Sequence, residues 1–218
     1  MMFPPAERPS ALLFDWDNTL VDGWAAIAAA LNAAFTAYGK PHWTAEDTKN
    51  RVRVALKESF PVMFGDTWER ARDIFYETFH GQHLDHLTPL PGARDVLLAG
   101  APWPMGIVSN KAGGSLRKEV VHLGWNVHFG PVIGAGDADR DKPHPDSILL
   151  ALSQMGRAPD RSIWYLGDTA SDMVAAKAAG VTAVLVGDAS HDGGVEHAAP
   201  DLHVHSAHEL AAWLKRLA

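Results

Sequence analysis

Hydrophobic and polar positions follow two different rhythms along this chain. Ala11-Leu12-Leu13-Phe14 is a short apolar run with no polar alternation. That pattern suits a strand buried on both faces, as in a parallel sheet covered by helices. After Asp22-Gly23 the period changes: Trp24, Ile27, Leu31, Phe35 and Tyr38 recur at helical spacing until Gly39 and Pro41 close the pattern. Two further helical regions are predicted over residues 45–60 and 67–84, the latter with Trp68, Ala71, Phe75 and Phe79 on one face. No strand-like run interrupts residues 23–88, which therefore read as a helical unit inserted after the first strand. Trp24, Phe35, Trp68, Phe75 and Phe79 are expected to form its core.

Pro89-Leu90-Pro91-Gly92 punctuates the chain. Beyond it, short β-rich runs at 105–108, 131–134, 163–166, 183–186 and, weakly, 202–204 alternate with helical stretches at 93–99, 114–123, 146–155 and 172–179. A last helix starts at Ser206, where Ser206 and Glu209 form the S-x-x-E of a capping box, and its apolar stripe is Leu210, Trp213, Leu214 and Leu217. This alternation predicts a doubly wound α/β fold with a parallel sheet, to which the first strand belongs. The expected domains are residues 1–22 with 89–218 as a Rossmann-like core, and 23–88 as the helical insertion.

Composition narrows the function classes. The 218 residues carry a formal net charge of −7, 47% hydrophobic and 21% charged side chains, and no cysteine. A basic surface of the kind nucleic acid needs is not implied, and disulfides, thiolate metal sites and cysteine nucleophiles are excluded. The opening MMFPPAERPS lacks the basic segment and apolar core of a signal peptide, and the longest apolar run, residues 24–31, is too short to span a bilayer. A cytoplasmic protein without membrane or nucleic-acid partners is expected; its oligomeric state is not legible.

The chemistry begins where the first strand ends. Asp15-Trp16-Asp17-Asn18-Thr19 places two carboxylates one residue apart, at the strand's carboxyl end, where open α/β sheets bind ligands. Acids this close repel unless a proton or cation lies between them, and a divalent ion such as Mg²⁺ would resolve the repulsion; the alternative is an acidic turn without a ligand. Three more stretches follow predicted strands. Ser109-Asn110 offers a hydroxyl and an amide to phosphate oxygens, or is an ordinary turn. Lys142 precedes Pro143 and Pro145, which stiffen the segment that aims its ammonium; the competing reading is a solvated loop lysine. In Gly167-Asp168-Thr169-Ala170-Ser171-Asp172 the glycine permits a sharp turn and Asp168 faces the site. Asp172 either holds Lys142 or simply caps the next helix.

Taken in order, D-x-D-x-T, Ser, Lys and G-D-x-x-x-D resemble the haloacid dehalogenase superfamily of phosphotransferases, with the helical insertion where that family carries its cap domain. The resemblance implies Asp15 as a nucleophile that becomes an aspartyl-phosphate, and Asp17 as the acid, then base, for the leaving oxygen and water. It also implies Mg²⁺ held by Asp15, Asp168 and the Asp17 backbone carbonyl, with phosphoryl oxygens bound by Ser109, Asn110 and Lys142. Thr19 and Asp172 would stand behind them. An acid two residues after the nucleophile is kept by phosphomonoesterases and phosphomutases and is missing from the dehalogenases and phosphonate-cleaving members. The layout is most similar to the phosphoglycolate phosphatase-like branch, and a small phosphorylated metabolite is the implied substrate. A β-phosphoglucomutase-type mutase, and a non-catalytic binding module on the same fold, are the alternatives.

Other polar groups are expected to be bland. His80, His83 and His86, and His203, His205 and His208, read as surface or packing histidines. Trp16 is expected to turn its side chain away from the acids. Arg51, Arg53 and Lys57 are either exposed helix residues or contacts for a substrate carboxylate or second phosphate.

Overall fold

A computed structural model of the protein describes residues 8–52, 56–82 and 84–218. The chain divides into two compact units: residues up to Val21 together with Pro89–Ala218, and Asp22–Thr88. The first unit is built on six strands: β1 (Ala11–Phe14), β4 (Met105–Ala112), β5 (Val132–Ala135), β6 (Ile163–Gly167), β7 (Thr182–Val186) and β8 (Leu202–Val204). They form a sheet in the order β5-β4-β1-β6-β7-β8, every neighbouring pair parallel. The chain steps outward from β1 to one edge and then returns to fill the other side. The reversal falls between β1 and β6, so the carboxyl ends of the central strands open the crevice of a doubly wound sheet.

Both faces of the sheet are covered, which is why its strands read as unbroken apolar runs. All four residues of β1 are fully buried. Leu13, Val108, Tyr165 and Leu185 pack with Ile148 and Leu152 of α7 (Asp146–Gln154) and Met173 of α8 (Ala170–Ala178) on one face. Trp164, one residue from Tyr165 and so on the opposite face, meets Trp213 of α10 (Ala207–Leu217) at a ring separation of 4.7 Å.

Two local departures from the expected pattern have clear causes. Strand β4 does not stop at Val108 but continues through Ala112, with a register shift against β5 between Val108 and Ala112. Ser109, Asn110 and Lys111 therefore lie within an irregular strand rather than in a turn after it. At the last helix Ser206 Oγ accepts from the Glu209 amide at 3.2 Å, but the Glu209 carboxylate accepts from the His205 amide at 2.7 Å, one residue earlier than a reciprocal capping box requires.

The second unit is helical. Its helices are α1 (Gly23–Ala37), α2 (Ala45–Arg51), α3 (Leu56–Phe64) and α4 (Trp68–Gln82). Asp22 caps α1, its carboxylate accepting from the Trp24 amide at 2.8 Å. Leu31, Phe35, Phe60, Phe64, Ala71 and Phe75 form the core, with Trp68 and Phe79 packed at its margin. Trp24 is half-buried, like Trp68 and Phe79, and is not among the residues of this cluster. Among the described residues no helix is long and apolar enough to cross a membrane.

Candidate active site

Four segments of the first unit converge at the carboxyl ends of β1, β4 and β6, around a cleft of about 320 Å³ lined by Asp15, Asp17, Ser109, Lys142, Asp168 and Asp172 among others. Asp15 follows directly from β1, its amide bonded to the Leu166 carbonyl of β6 at 2.8 Å, which carries the sheet's hydrogen bonding one residue further. Asn18 takes a left-handed conformation at φ 61° and donates its amide to the Val21 carbonyl at 2.7 Å. The chain thus turns back at once, which leaves Asp17 on the lining of the same cleft as Asp15.

Lys142 is the hub. Its Nζ donates to Asp15 Oδ1 at 2.7 Å, to Asp172 Oδ1 at 2.6 Å and to the Tyr165 hydroxyl at 2.8 Å, with the side chain only 4% exposed. It is not a solvated loop lysine. Asn110 fixes the lysine's backbone from both sides, its side-chain amide donating to the Lys142 carbonyl at 2.8 Å and its oxygen accepting from the Lys142 amide at 3.0 Å. The Asn110 side chain is therefore committed to the protein, which leaves its backbone as the group to offer a ligand. Ser109 is buried, and its Oγ accepts from the Lys111 amide at 3.3 Å.

Asp172 resolves an open alternative by doing both things. Thr169 is the N-cap of α8 and Asp172 its third helical residue: Thr169 Oγ1 accepts from the Asp172 amide, while Asp172 Oδ2 accepts from the Thr169 amide at 3.0 Å and its hydroxyl at 2.6 Å. The other carboxylate oxygen holds Lys142. The helix accordingly starts at Ala170, two residues before the apolar pattern indicated. Gly167 is required for a reason other than a sharp turn: its φ is ordinary, but a Cβ there would lie 2.4 Å from Asp172 Cγ. The close approach of the caged carboxylate leaves no room for a side chain.

Asp168 accepts from Thr19 Oγ1 through Oδ1 at 3.3 Å. Its Oδ2 is buried and accepts no hydrogen bond, with His191 Nε2 3.3 Å away as an ion-pair contact. Asp15, Asp168 and Asp172 each bring a carboxylate oxygen within 4.8 Å of the others. Burial is the largest influence on Asp15, pushing its carboxyl up to about 8 with help from Asp172 and Asp168, against the pull of Lys142. Burial likewise raises Asp168, against His191. Asp172 is lowered, because Lys142 and Thr169 overcome its burial. Lys142 is held well above the ordinary lysine range: Asp15 and Asp172 outweigh a burial cost that acts the other way.

This is a cluster short of positive charge. The oxygen-only donor set and the orphaned Asp168 oxygen fit a hard divalent cation such as Mg²⁺. Asp172 is the least available of the three acids, since both of its oxygens are already engaged.

Asp17 points elsewhere. Its Oδ1 accepts from Lys111 Nζ at 2.8 Å, the same ammonium donates to Glu119 Oε2 at 2.7 Å, and Glu119 accepts from Trp16 Nε1 at 2.6 Å. Trp16 is fully buried, edge-on to Trp125 at 5.8 Å, as expected of a side chain turned away from the acids. Burial pushes the Lys111 ammonium down, but Asp17 and Glu119 more than compensate, and the group is raised overall. Lys111, Glu119 and Tyr165 were not among the residues anticipated. A signal existed for Glu119, which falls with Leu116 and Val120 on the buried face of α6 (Gly113–His122), where an acid is out of place without a partner.

The three C-terminal histidines do not line the cleft. His203 bonds the Gly187 carbonyl at 2.7 Å and packs on His205, and His208 lies 3.9 Å from Asp95. His86 is half-buried; His83 and the side chain of His80 lie outside the described residues. Arg51 is engaged by Asp47 at 3.2 Å and lies over the Trp43 ring. Arg53 and the side chain of Lys57 are outside the described residues. Two larger surface clefts, about 670 Å³ each, flank Phe129–Pro131 and hold no pair of facing carboxylates.

Comparison with known proteins bears on the family and the fold. A family model described as haloacid dehalogenase-like hydrolase matches residues 12–186. A phosphoglycolate phosphatase of Chromobacterium violaceum is 31% identical over 216 residues, covering 94% of this chain and 96% of that protein. Another, from Xanthomonas campestris, is 30% identical over 184 residues, covering 81% and 82%. Among solved structures, a haloacid dehalogenase-like hydrolase of Streptococcus pneumoniae superposes with a TM-score of 0.78 at 23% identity, covering 94% of this chain and 98% of that one, a likeness of fold.

Proposed function

The chain belongs to the haloacid dehalogenase-like hydrolases, and we propose that it is a Mg²⁺-dependent phosphatase acting on a small phosphomonoester through an aspartyl-phosphate. The observation that carries this reading is the Asp15 carboxylate at the end of β1, held by Lys142 in a cleft shared with a buried Asp168 oxygen that accepts no hydrogen bond. Phosphoglycolate or a closely related metabolite is the first candidate substrate, on the strength of the relatives' activity.

In the proposed reaction a carboxylate oxygen of Asp15 attacks phosphorus and the bond to the leaving alkoxide breaks, while Asp17 gives that alkoxide its proton. Water then attacks phosphorus of the aspartyl-phosphate, its proton passes to Asp17, and phosphate leaves with Asp15 restored. Asp15, Asp168 and the Asp17 backbone carbonyl would hold Mg²⁺, which when bound screens the charge between carboxylate and phosphoryl group. Ser109 and the Asn110 backbone are assigned to the phosphoryl oxygens. Lys142 is assigned there too, but its three protons are spent on Asp15, Asp172 and Tyr165, so that contact requires exchanging the Asp15 bond for one to phosphate. Thr19 orients Asp168, and Asp172 holds Lys142. Residues 23–88 are assigned to selecting the substrate, because the core cleft supplies only phosphoryl and cation chemistry.

The test is to trap the intermediate. Acid-quenched protein, exposed to radiolabelled phosphomonoester and Mg²⁺, should carry label that hydroxylamine releases and that maps to Asp15. Turnover without such label contradicts covalent catalysis. Phosphate moved within a sugar, dependent on a bisphosphate activator, would identify a mutase instead.

A further inference from the structure

We infer that Lys111 is a positioning residue for the proposed proton transfer, holding the Asp17 carboxylate from a buried anchor made of Glu119 and Trp16; the inference rests on the reading of Asp17 as acid and base.

Trp16, fully buried between the two acids in sequence, donates to Glu119; Glu119, 1% exposed, accepts from Lys111; Lys111, 9% exposed, donates to Asp17, the residue after Trp16. The path leaves the β1 loop, crosses to α6 and the irregular end of β4, and returns to the loop one residue from where it left. A loop clamped at two adjacent residues from one helix has little freedom to swing.

A purely structural role explains this poorly. Burying a Lys–Glu pair gives little stability over an apolar pair of equal volume, because desolvation offsets the attraction. An ion pair kept only for packing would also have no need to reach a third group. Here the ammonium extends to a carboxylate that is 31% exposed and lines the cleft. Proton donation in a transition state needs the donor oxygen within hydrogen-bond reach of the leaving atom, and misplacement by about an ångström can cost about a hundredfold. Lys111 lies within the register shift of β4, so the irregular strand and the clamp coincide.

The test uses leaving groups. An alkyl phosphate needs its departing oxygen protonated, whereas 4-nitrophenyl phosphate expels a stable phenolate that does not, and kcat/KM reports the phosphorylation step for both. Lys111→Met would take the ammonium from the buried Glu119 carboxylate, so Lys111→Met with Glu119→Gln is made as well; the amide oxygen still accepts from Trp16. Both proteins are checked for native circular dichroism and cooperative unfolding.

The expected result is that kcat/KM for the alkyl ester falls at least about tenfold more than for the nitrophenyl ester. Lys111→Arg, which still donates to Asp17, should recover part of the difference. Asp17→Asn is run alongside and should show the same split, larger. If Asp17→Asn shows no split, the acid–base reading fails and this inference with it. If Asp17→Asn splits the substrates but the Lys111 variants lower both equally, or neither, Lys111 does not position the acid and the inference alone is overturned.

Discussion

At the scale of single residues the site is governed by how few cations face its acids. Lys142 compensates Asp15 and Asp172 together, and all three are buried. Lys142→Met should leave two buried carboxylates without a counter-charge and cost about 3–5 kcal/mol, read as a lowered midpoint in urea unfolding. The raised Asp15 carboxyl gives a pH dependence whose sign is definite. A group that holds its proton more tightly when folded stabilises the cation-free protein at low pH, and that contribution is lost as pH rises through about 8. Mg²⁺ must displace this proton, so its affinity should rise between pH 6 and 8 by up to about tenfold per unit and then level off. Calorimetric titration in two buffers of different ionisation enthalpy would register the released proton; affinity independent of pH, with no proton released, would contradict the charge assignment. Asp15 and Asp17 drew attention as paired acids at a strand end, and Asp168 through the Gly-Asp step that follows the apolar run of β6. Lys111 and Glu119 were not, since their meaning lies in a contact between β4, α6 and the β1 loop that no spacing encodes.

Elements convert these residues into geometry. Tyr165 reads in sequence as one more apolar position of β6. In the fold its hydroxyl donates to the Val108 carbonyl of β4 at 2.8 Å, spanning β1, and accepts from Lys142. Tyr165→Phe should therefore cost about 1–3 kcal/mol in unfolding free energy. Helix α8 shows a second coupling: its capping box and the Lys142 clamp share one carboxylate, so helix start and site are formed together. Gly167→Ala would press a methyl into Asp172. It should destabilise the protein by about 1–3 kcal/mol and weaken Mg²⁺ binding measured by titration, because relief of the clash moves the acid that holds Lys142. The positions of the strands were readable from their apolar runs. Their ends were not, because Ser109, Asn110 and Lys111 are polar residues that extend β4 through a register shift.

The whole molecule gathers residues that stand up to 177 positions apart in sequence, from Asp15 to Asp192, on one crevice. Sheet order accomplishes this: β1 lies between β4 and β6, so the segments leaving all three carboxyl ends are neighbours. Alternating helical and apolar runs announced a parallel sheet, and the four motifs in order indicated the family. The helical unit was visible as a change of period, but the chemistry it is proposed to select for is not written in aromatic spacing, which reports only its own packing.

The most direct measurement is inorganic phosphate release from phosphoglycolate, sugar phosphates and nucleoside monophosphates, with and without Mg²⁺, by the native protein and by Asp15→Asn. The account predicts Mg²⁺-dependent release that falls by about a thousandfold or more in the variant while its fold is retained. Release that persists in Asp15→Asn, or none from folded, Mg²⁺-binding native protein, would contradict it.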